Sequence, residues 1–317
     1  MRLINVHMYL TPLCNLSCKH CYYDALKTGD NHGRLLSSEK VVSIINWLCE
    51  HFEADLHLEG GELFLRTDLD EIFAALSPKA LSALTVTTNG TVPIQVHPDK
   101  LRTLGELRIS VEGHTNELQQ ILRPAKLETI FRTLEKLRSD SIPFTLRATL
   151  HRTIVNYFPQ MMSSFIEQGV EHISLFEFQP VGRGSVDMEK YMLDASEFET
   201  VFDELAQNGP GKGIKLLKLS LSPRRIPMAL ARKTALEAWG FEFVDLAGIP
   251  NLTINSNGDL GVSPWRVTAR HTKDRFANVF DDADFQAKIE QSIACQTNAS
   301  ADPYTSSLLL RYRVPTN

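Results

Sequence analysis

A chain of 317 residues, with 43% hydrophobic and 22% charged side chains and a formal net charge of −5, has the make-up of a globular protein large enough for one large domain and a smaller appendage. No basic run and no interleaving of basic with aromatic residues occurs, which argues against a nucleic-acid surface, and no run of about 18 apolar residues is available to span a membrane. Five cysteines are sparse and odd in number for a disulfide framework, and Met1 to Asn5 lack the apolar core of a signal peptide, so a reducing, cytoplasmic location is expected.

Residues 3–12 alternate and then turn apolar, the pattern of a strand. It delivers Cys14, Cys18 and Cys21, spaced C-x3-C-x2-C. Three thiolates can hold three irons of a [4Fe–4S] cube and leave one iron open, since a fully protein-ligated cube takes four. The alternative is a structural zinc site, which needs a fourth ligand; no second half-site is present, and His20 is the neighbour that could be recruited. Ser37 and Ser38 precede Glu39 as an N-cap signal, and Val41, Ile45, Leu48, Cys49 and Phe52 recur at helical spacing, which assigns Cys49 to the core.

A short strand, 55–58, then runs into Glu59-Gly60-Gly61-Glu62, where paired glycines allow close approach to the backbone. The alternation continues: helix 68–76, strand 84–88, helix 98–104, strand 107–111, helix 125–139, strand 144–150, helix 157–168, strand 172–178 and helix 195–207. Six strand–helix units over residues 3–208 imply a parallel α/β sheet with right-handed crossovers and ligands at the strands' C-terminal ends. The Asn208–Gly213 stretch, rich in glycine, reads as a boundary, and Asn257-Gly258 between apolar runs predicts a β-hairpin.

The cysteine triplet followed by Gly60-Gly61-Glu62 resembles the signature of the radical S-adenosylmethionine (radical SAM) enzymes. Thr88-Asn89-Gly90 resembles the family's Thr-Asn-Gly turn, and Ile109-Ser110-Val111-Glu112-Gly113 its Ile-Ser-Leu-Asp-Gly. The resemblance implies a partial (β/α)6 barrel over residues 1–208. It also implies a [4Fe–4S] cluster on Cys14, Cys18 and Cys21, with SAM as second cofactor. By the same resemblance Gly60, Gly61 and Glu62 would meet the SAM amino group, Thr88 and Asn89 would lie beside it, and Ser110 and Arg147 would reach its carboxylate and ribose. His20 takes the place of an aromatic residue near the adenine. Glu112 and His151 are candidate catalytic residues at strand ends; Glu177 and Gln179 are weaker ones.

Pro180-Val181-Gly182-Arg183-Gly184 resembles the ending of the sixth strand in members that carry a C-terminal SPASM or twitch extension, and residues 245–263 keep that extension's frame. Asp245 and Ser263 stand where its cysteines belong, so an auxiliary cluster is not expected, and residues 209–317 are read as a degenerate, lid-like α+β extension with a hairpin. Cys295 is read as a vestige or a buried apolar residue rather than a hydrogen-atom donor. The resemblance further implies an electron donor such as flavodoxin or ferredoxin, reductive cleavage of SAM to a 5′-deoxyadenosyl radical, and hydrogen abstraction from a substrate carbon. The substrate expected is a ribosomal peptide or similar natural-product precursor, with a small sugar or aminocyclitol as the alternative. A catalytically silent metal-binding protein is the alternative of another class.

Overall fold

The computed structural model describes residues 1–30, 33–296 and 308–314. Among them are fourteen strands: β1 Leu3–Thr11, β2 Leu13–Cys14, β3 Leu26–Lys27, β4 Glu53–Gly60, β5 Leu84–Thr88, β6 Glu106–Ser110, β7 Thr145–Leu150, β8 His172–Glu177, β9 Leu216–Leu221, β10 Phe241–Asp245, β11 Asn251–Ile254, β12 Asp259–Gly261, β13 Ala277–Asn278 and β14 Leu308–Arg313. β2 and β3 pair with each other, and the other twelve form one sheet in the order β10-β14-β9-β8-β7-β6-β5-β4-β1-β11-β12-β13. No helix among the described residues is long and apolar enough to cross a membrane.

The six strands expected from the alternation lie side by side and parallel, β1-β4-β5-β6-β7-β8. Helices follow where the apolar stripes predict them. Ser37 caps Ser38–His51 by accepting from the Lys40 N–H, and Leu127–Ser139 and Phe158–Glu167 press their stripes on the sheet. Cys49 is buried in this layer, as expected.

Residues beyond 208 join the same sheet at both of its edges. β9 adds parallel to β8, and β14 and β10 follow it antiparallel. On the other side β11 adds parallel to β1, with Asn5 opposite Asn251, and its hairpin partner β12 and then β13 complete that edge. The turn between β11 and β12 holds Gly258 at φ +84°, in keeping with the Asn-Gly signal.

The strands present two unlike faces. Ile4, Val6, Met8, Leu56, Leu58, Val86, Ile109, Leu146, Ala148, Leu175 and Leu219 pack against the helices in the main core. The residues between them, Asn5, His7, Asp55, His57, Glu59, Thr87, Arg108, Ser110, Arg147, Ser174 and Lys218, line a cavity of about 380 Å³ on the concave side. A (β/α)8 barrel is ordinarily filled by branched apolar side chains; here the lumen is open, and polar strand residues share its wall with apolar ones such as Ile4, Leu246, Trp265 and Leu309.

Candidate functional site

The cysteine loop leaves the C-terminal end of β1 and is fastened at several points. Gly61 and Glu62 donate backbone N–H groups to Thr11 O and Leu13 O, both at 2.8 Å, and Lys19 N donates to Leu122 O at 2.8 Å. Arg183 N donates to Cys21 O at 3.0 Å and Ala269 N to Tyr23 O at 2.8 Å. The ring of Tyr23 stacks on Tyr9 at 4.5 Å, and its hydroxyl donates to Asn255 Oδ1 at 2.8 Å. Both glycines of the Gly-Gly pair serve this docking. A Cβ on Gly61 would lie 2.0 Å from Leu13 O, and one on Gly60, which sits at φ +143°, would lie 2.4 Å from Thr11 O. The space that sequence reasoning reserved for a ligand at this point is taken first by the chain's own loop, although both glycines also line the cavity.

Cys14, Cys18 and Cys21 line one end of the cavity. Each sulfur accepts a hydrogen bond: Cys14 from Leu16 N at 3.4 Å and from Asn89 Nδ2 at 3.9 Å, Cys21 from Ala25 N at 3.5 Å, and Cys18 from Arg123 Nη1 at 3.6 Å. Burial pushes the Cys14 thiol up to about 11, with the other two cysteines and Glu62 adding to the rise, and burial likewise raises Cys18. Three thiolates grouped under such conditions need a cationic partner. Among the described residues no group of three or more His, Cys, Asp or Glu side chains is placed to hold a single metal ion. A cube offers a separate iron to each thiolate, so the triplet and its sulfur-directed donors fit a [4Fe–4S] cluster with one iron open.

The other expected site residues fall into two groups. Gly60, Gly61, Thr88, Asn89, Ser110, Arg147, His20 and Glu112 all line the cavity, as do Glu177 and Gln179. Glu62 and His151 do not. Glu62 is 1% exposed, and its oxygens accept from Thr88 Oγ1 at 2.6 Å, Asn89 N at 2.7 Å and Phe64 N at 3.1 Å, so its carboxylate ties β4 to β5. His151 follows β7 and opens the short helix Arg152–Val155, a turn that carries its ring out of the cavity wall and brings Nδ1 within 2.5 Å of Thr153 Oγ1. Burial holds its pKa down at about 4, so the ring is neutral. Glu112 is in the wall with both oxygens engaged. Oε1 accepts from Arg123 Nη2 at 2.7 Å and lies 3.1 Å from His20 Nε2, while Oε2 accepts from Thr149 N at 2.8 Å. The charges of His20 and Arg123 outweigh burial and hold this carboxyl well below the usual range.

In the C-terminal part, the Asp245 carboxylate accepts from Ala247 N and the Ser263 hydroxyl from Trp265 N. Cys295, expected to be vestigial or buried, is exposed at the end of the helix Phe285–Cys295. It lies on the polar side of that helix, whose buried stripe is Phe285, Ile289 and Ile293.

Sequence reasoning missed the rest of the lumen. Tyr22 donates to Glu59 Oε2 at 2.5 Å, His7 Nδ1 lies 3.1 Å from the same oxygen, and the rings of His7 and His57 stack at 4.8 Å. Glu106 receives Arg108 at 2.7 Å and Lys218 at 3.0 Å. The wall groups with no hydrogen-bond partner in the protein include Arg147 Nε, Ser174 Oγ and Thr87 Oγ1, along with Asn5 Oδ1, His20 Nδ1, Gln179 Oε1, Arg183 Nε and Trp265 Nε1. Arg147 and Ser174 are cross-strand neighbours in register, and the Arg147 guanidinium lies 4.5 Å from the centre of the Phe176 ring. The Arg147 guanidinium is half-buried with Glu59 near enough to feel its charge, and its unpartnered Nε beside Ser174 Oγ suits a ligand that carries hydrogen-bond acceptors.

Comparison with known proteins agrees with this geometry. A family model described as the radical SAM superfamily matches residues 8–156. Over 203 residues the chain is 26% identical to a probable GTP 3′,8-cyclase of Methanococcus maripaludis, a match that covers 63% of this chain and 65% of the relative. The match thus spans just under two thirds of that relative's length. SuiB of Streptococcus suis, in a crystal structure with its precursor peptide SuiA, superposes with a TM-score of 0.64 over 89% of this chain and 63% of that one, at 13% identity. The enzyme anSMEcpe with bound AdoMet superposes with a TM-score of 0.63 over 94% and 84%, at 15% identity. At such identities the superpositions speak for the fold. The family match and the three cysteines at the C-terminal end of a parallel sheet lead to one assignment: residues 8–156 form a radical SAM superfamily domain.

Proposed function

We propose that this protein is a radical SAM enzyme acting on a small polar substrate held in the lumen. The observation that carries the reading is the position of the three thiols on the wall of an open cavity that also offers unpartnered hydrogen-bond donors. When bound, a reduced [4Fe–4S] cluster and SAM supply a 5′-deoxyadenosyl radical able to abstract hydrogen from an unactivated carbon. Cys14, Cys18 and Cys21 would hold the irons. Ser110 and Arg147 meet a carboxylate or ribose, Arg147 through charge-assisted hydrogen bonds. Gly60, Gly61, Thr88 and Asn89 shape the wall beside them, and His20 is kept in place by Glu112.

Residues 209–317 act as the wall that excludes water from the reaction. Leu246, Ile249, Pro264, Trp265 and Leu309 support this role, since all five line the cavity. The absence of cysteines from positions 245 and 263 supports a single cluster and a redox-neutral outcome, such as epimerisation or rearrangement. A one-electron donor of the flavodoxin or ferredoxin type, in the cytoplasm, completes the reading.

The unpartnered hydrogen-bonding groups on the wall favour a small polar molecule, and the name of the curated relative, a probable GTP 3′,8-cyclase, points the same way. A peptide is the second reading, supported by the common fold with SuiB, which was crystallised with its precursor peptide. There a single residue would enter the lumen while the rest of the peptide stays outside.

Anaerobic reconstitution with iron and sulfide, reduction in the presence of SAM and chromatography for 5′-deoxyadenosine test the activity. The native chain is expected to yield the nucleoside, and Cys14→Ala to fold but yield none. A complete cluster that never yields nucleoside, with or without candidate substrates, would return the silent metal-binding alternative.

A further inference from the structure

Arg123 was not singled out by any motif, yet it is the cationic donor to a cluster-ligand sulfur among the described residues. Its guanidinium is buried; Nη1 donates to Cys18 Sγ at 3.6 Å, while Nη2 and Nε donate to Glu112 Oε1 at 2.7 and 3.2 Å. The Cys14 and Cys21 sulfurs accept from backbone N–H groups and an Asn amide, all neutral donors. The arrangement is braced twice over. Leu122, the residue before Arg123, accepts the Lys19 N–H from within the cysteine loop, so loop and arginine share one backbone frame. Glu112 in turn is held by Thr149 N on its side chain, and its own N–H donates to Gln119 Oε1 at 2.7 Å.

We propose that Arg123 is a positioning residue that sets the reduction potential of the cluster through Cys18, and that Glu112 sets the strength of its effect. The inference rests on the cluster reading above. Reduction adds one negative charge to the cluster, and a positive charge hydrogen-bonded to a ligand sulfur stabilises the reduced form, the more so in a buried site of low dielectric constant. Glu112 offsets part of that field from the far side of the guanidinium. The two residues therefore act with opposite signs: neutralising Arg123 lowers the potential, and neutralising Glu112 raises it. A purely structural role gives no reason for opposite signs.

The test uses the full chain, reconstituted anaerobically without SAM, with iron and sulfide content measured first and the potential then read by EPR-monitored redox titration. In Arg123→Gln the ratio of reduced to oxidised cluster at a fixed potential is expected to fall about tenfold, a shift of about 59 mV for one electron. Glu112→Gln, which keeps an oxygen acceptor for the guanidinium, is expected to shift the ratio the other way, and Arg123→Lys, which keeps the charge, to stay near the native value. Unchanged potentials, or shifts of the same sign in Arg123→Gln and Glu112→Gln, overturn the proposal while leaving the cluster reading intact. If Arg123→Gln assembles no cluster, Glu112→Gln decides: a raised potential supports the proposal, and an unchanged or lowered one overturns it. Failure of the native chain to bind iron and sulfide would instead count against the cluster reading itself.

Discussion

The helix-facing and lumen-facing sides of the sheet are written in the same strands, one residue apart, and they obey different rules. On β4, Leu56 and Leu58 are fully buried in the apolar core, while Asp55, His57 and Glu59 between them line the cavity. The outer face gains stability from burying apolar area. The inner face spends part of that stability, because its carboxylates and histidines lose hydration and recover it only through pairing. Burial alone would raise the Glu59 carboxyl, but the hydrogen bond and charge of His7, with Arg147 and His57 nearby, hold it well below the usual range. Outer-face changes should therefore move stability alone, and changes that reach the inner end should move cofactor binding.

The largest effect is expected where the two faces cannot be separated, at Gly61. Its added Cβ in Gly61→Ala would strike the Leu13 carbonyl and the Cys14 backbone, so the cysteine loop must move. A loss of about 3 kcal/mol or more in urea unfolding is expected, together with less than half the native iron after reconstitution. Native iron content in a folded Gly61→Ala protein would show that the loop's docking is not what the glycine serves.

Leu58→Ala is the sharper contrast. It opens a cavity on the helix side and should cost about 2–5 kcal/mol, with iron content and nucleoside formation per folded chain unchanged. A loss of iron there would mean the faces are mechanically coupled.

Acid should separate the faces more gently. His151, held neutral with its pKa down at about 4, takes up its proton only when the chain unfolds. Stability is thus intact above its ordinary value of 6.5 and falls as pH drops toward 4, by up to about 1.4 kcal/mol per pH unit. At Glu106, burial raises the carboxyl, but Arg108 and Lys218 outweigh it and hold the group at about 2. The stability it contributes is present above its ordinary 4.5 and is lost from there downward. His151→Asn should flatten the upper part of the acid profile in thermal unfolding and leave the lower part; an unchanged slope between pH 6.5 and 4 would remove His151 as its source.

The outer face is also what made the fold legible. Strand 84–88 and helices such as 127–139 follow from apolar periodicity, since each stripe must find a core. The cysteine loop was legible through its spacing. The lumen was written just as plainly but was not read: His7, Asp55, His57, Glu59 and Arg108 alternate with apolar residues in parallel strands, where both faces are usually apolar. That departure was the signal for a wet interior. Arg123 gave no such signal, because it follows the short helix Asn116–Leu122 and meets Cys18 only through the fold. The placement of β11 beside β1 is a contact between residues some 246 positions apart, and no local pattern encodes it. The run Leu216–Leu221 was hidden by its position just after a glycine-rich break, which in the structure is a turn leading into the next parallel strand.

That distant pairing has a consequence for the order in which the protein is made. Tyr23, two residues after Cys21, is tethered to Asn255, and β1 has β11 as one of its two neighbours. On a ribosome adding about 5–20 residues per second, the cysteines emerge roughly 10–50 s before the segment that walls them in. During that interval β1 has one open edge and the loop lacks its Tyr23 anchor. Iron delivered to the nascent chain would meet exposed thiols, whereas iron delivered after release would meet a loop already fastened. Maturation and folding therefore compete in time, and a truncation ending before residue 251 should leave the loop permanently in its unanchored form.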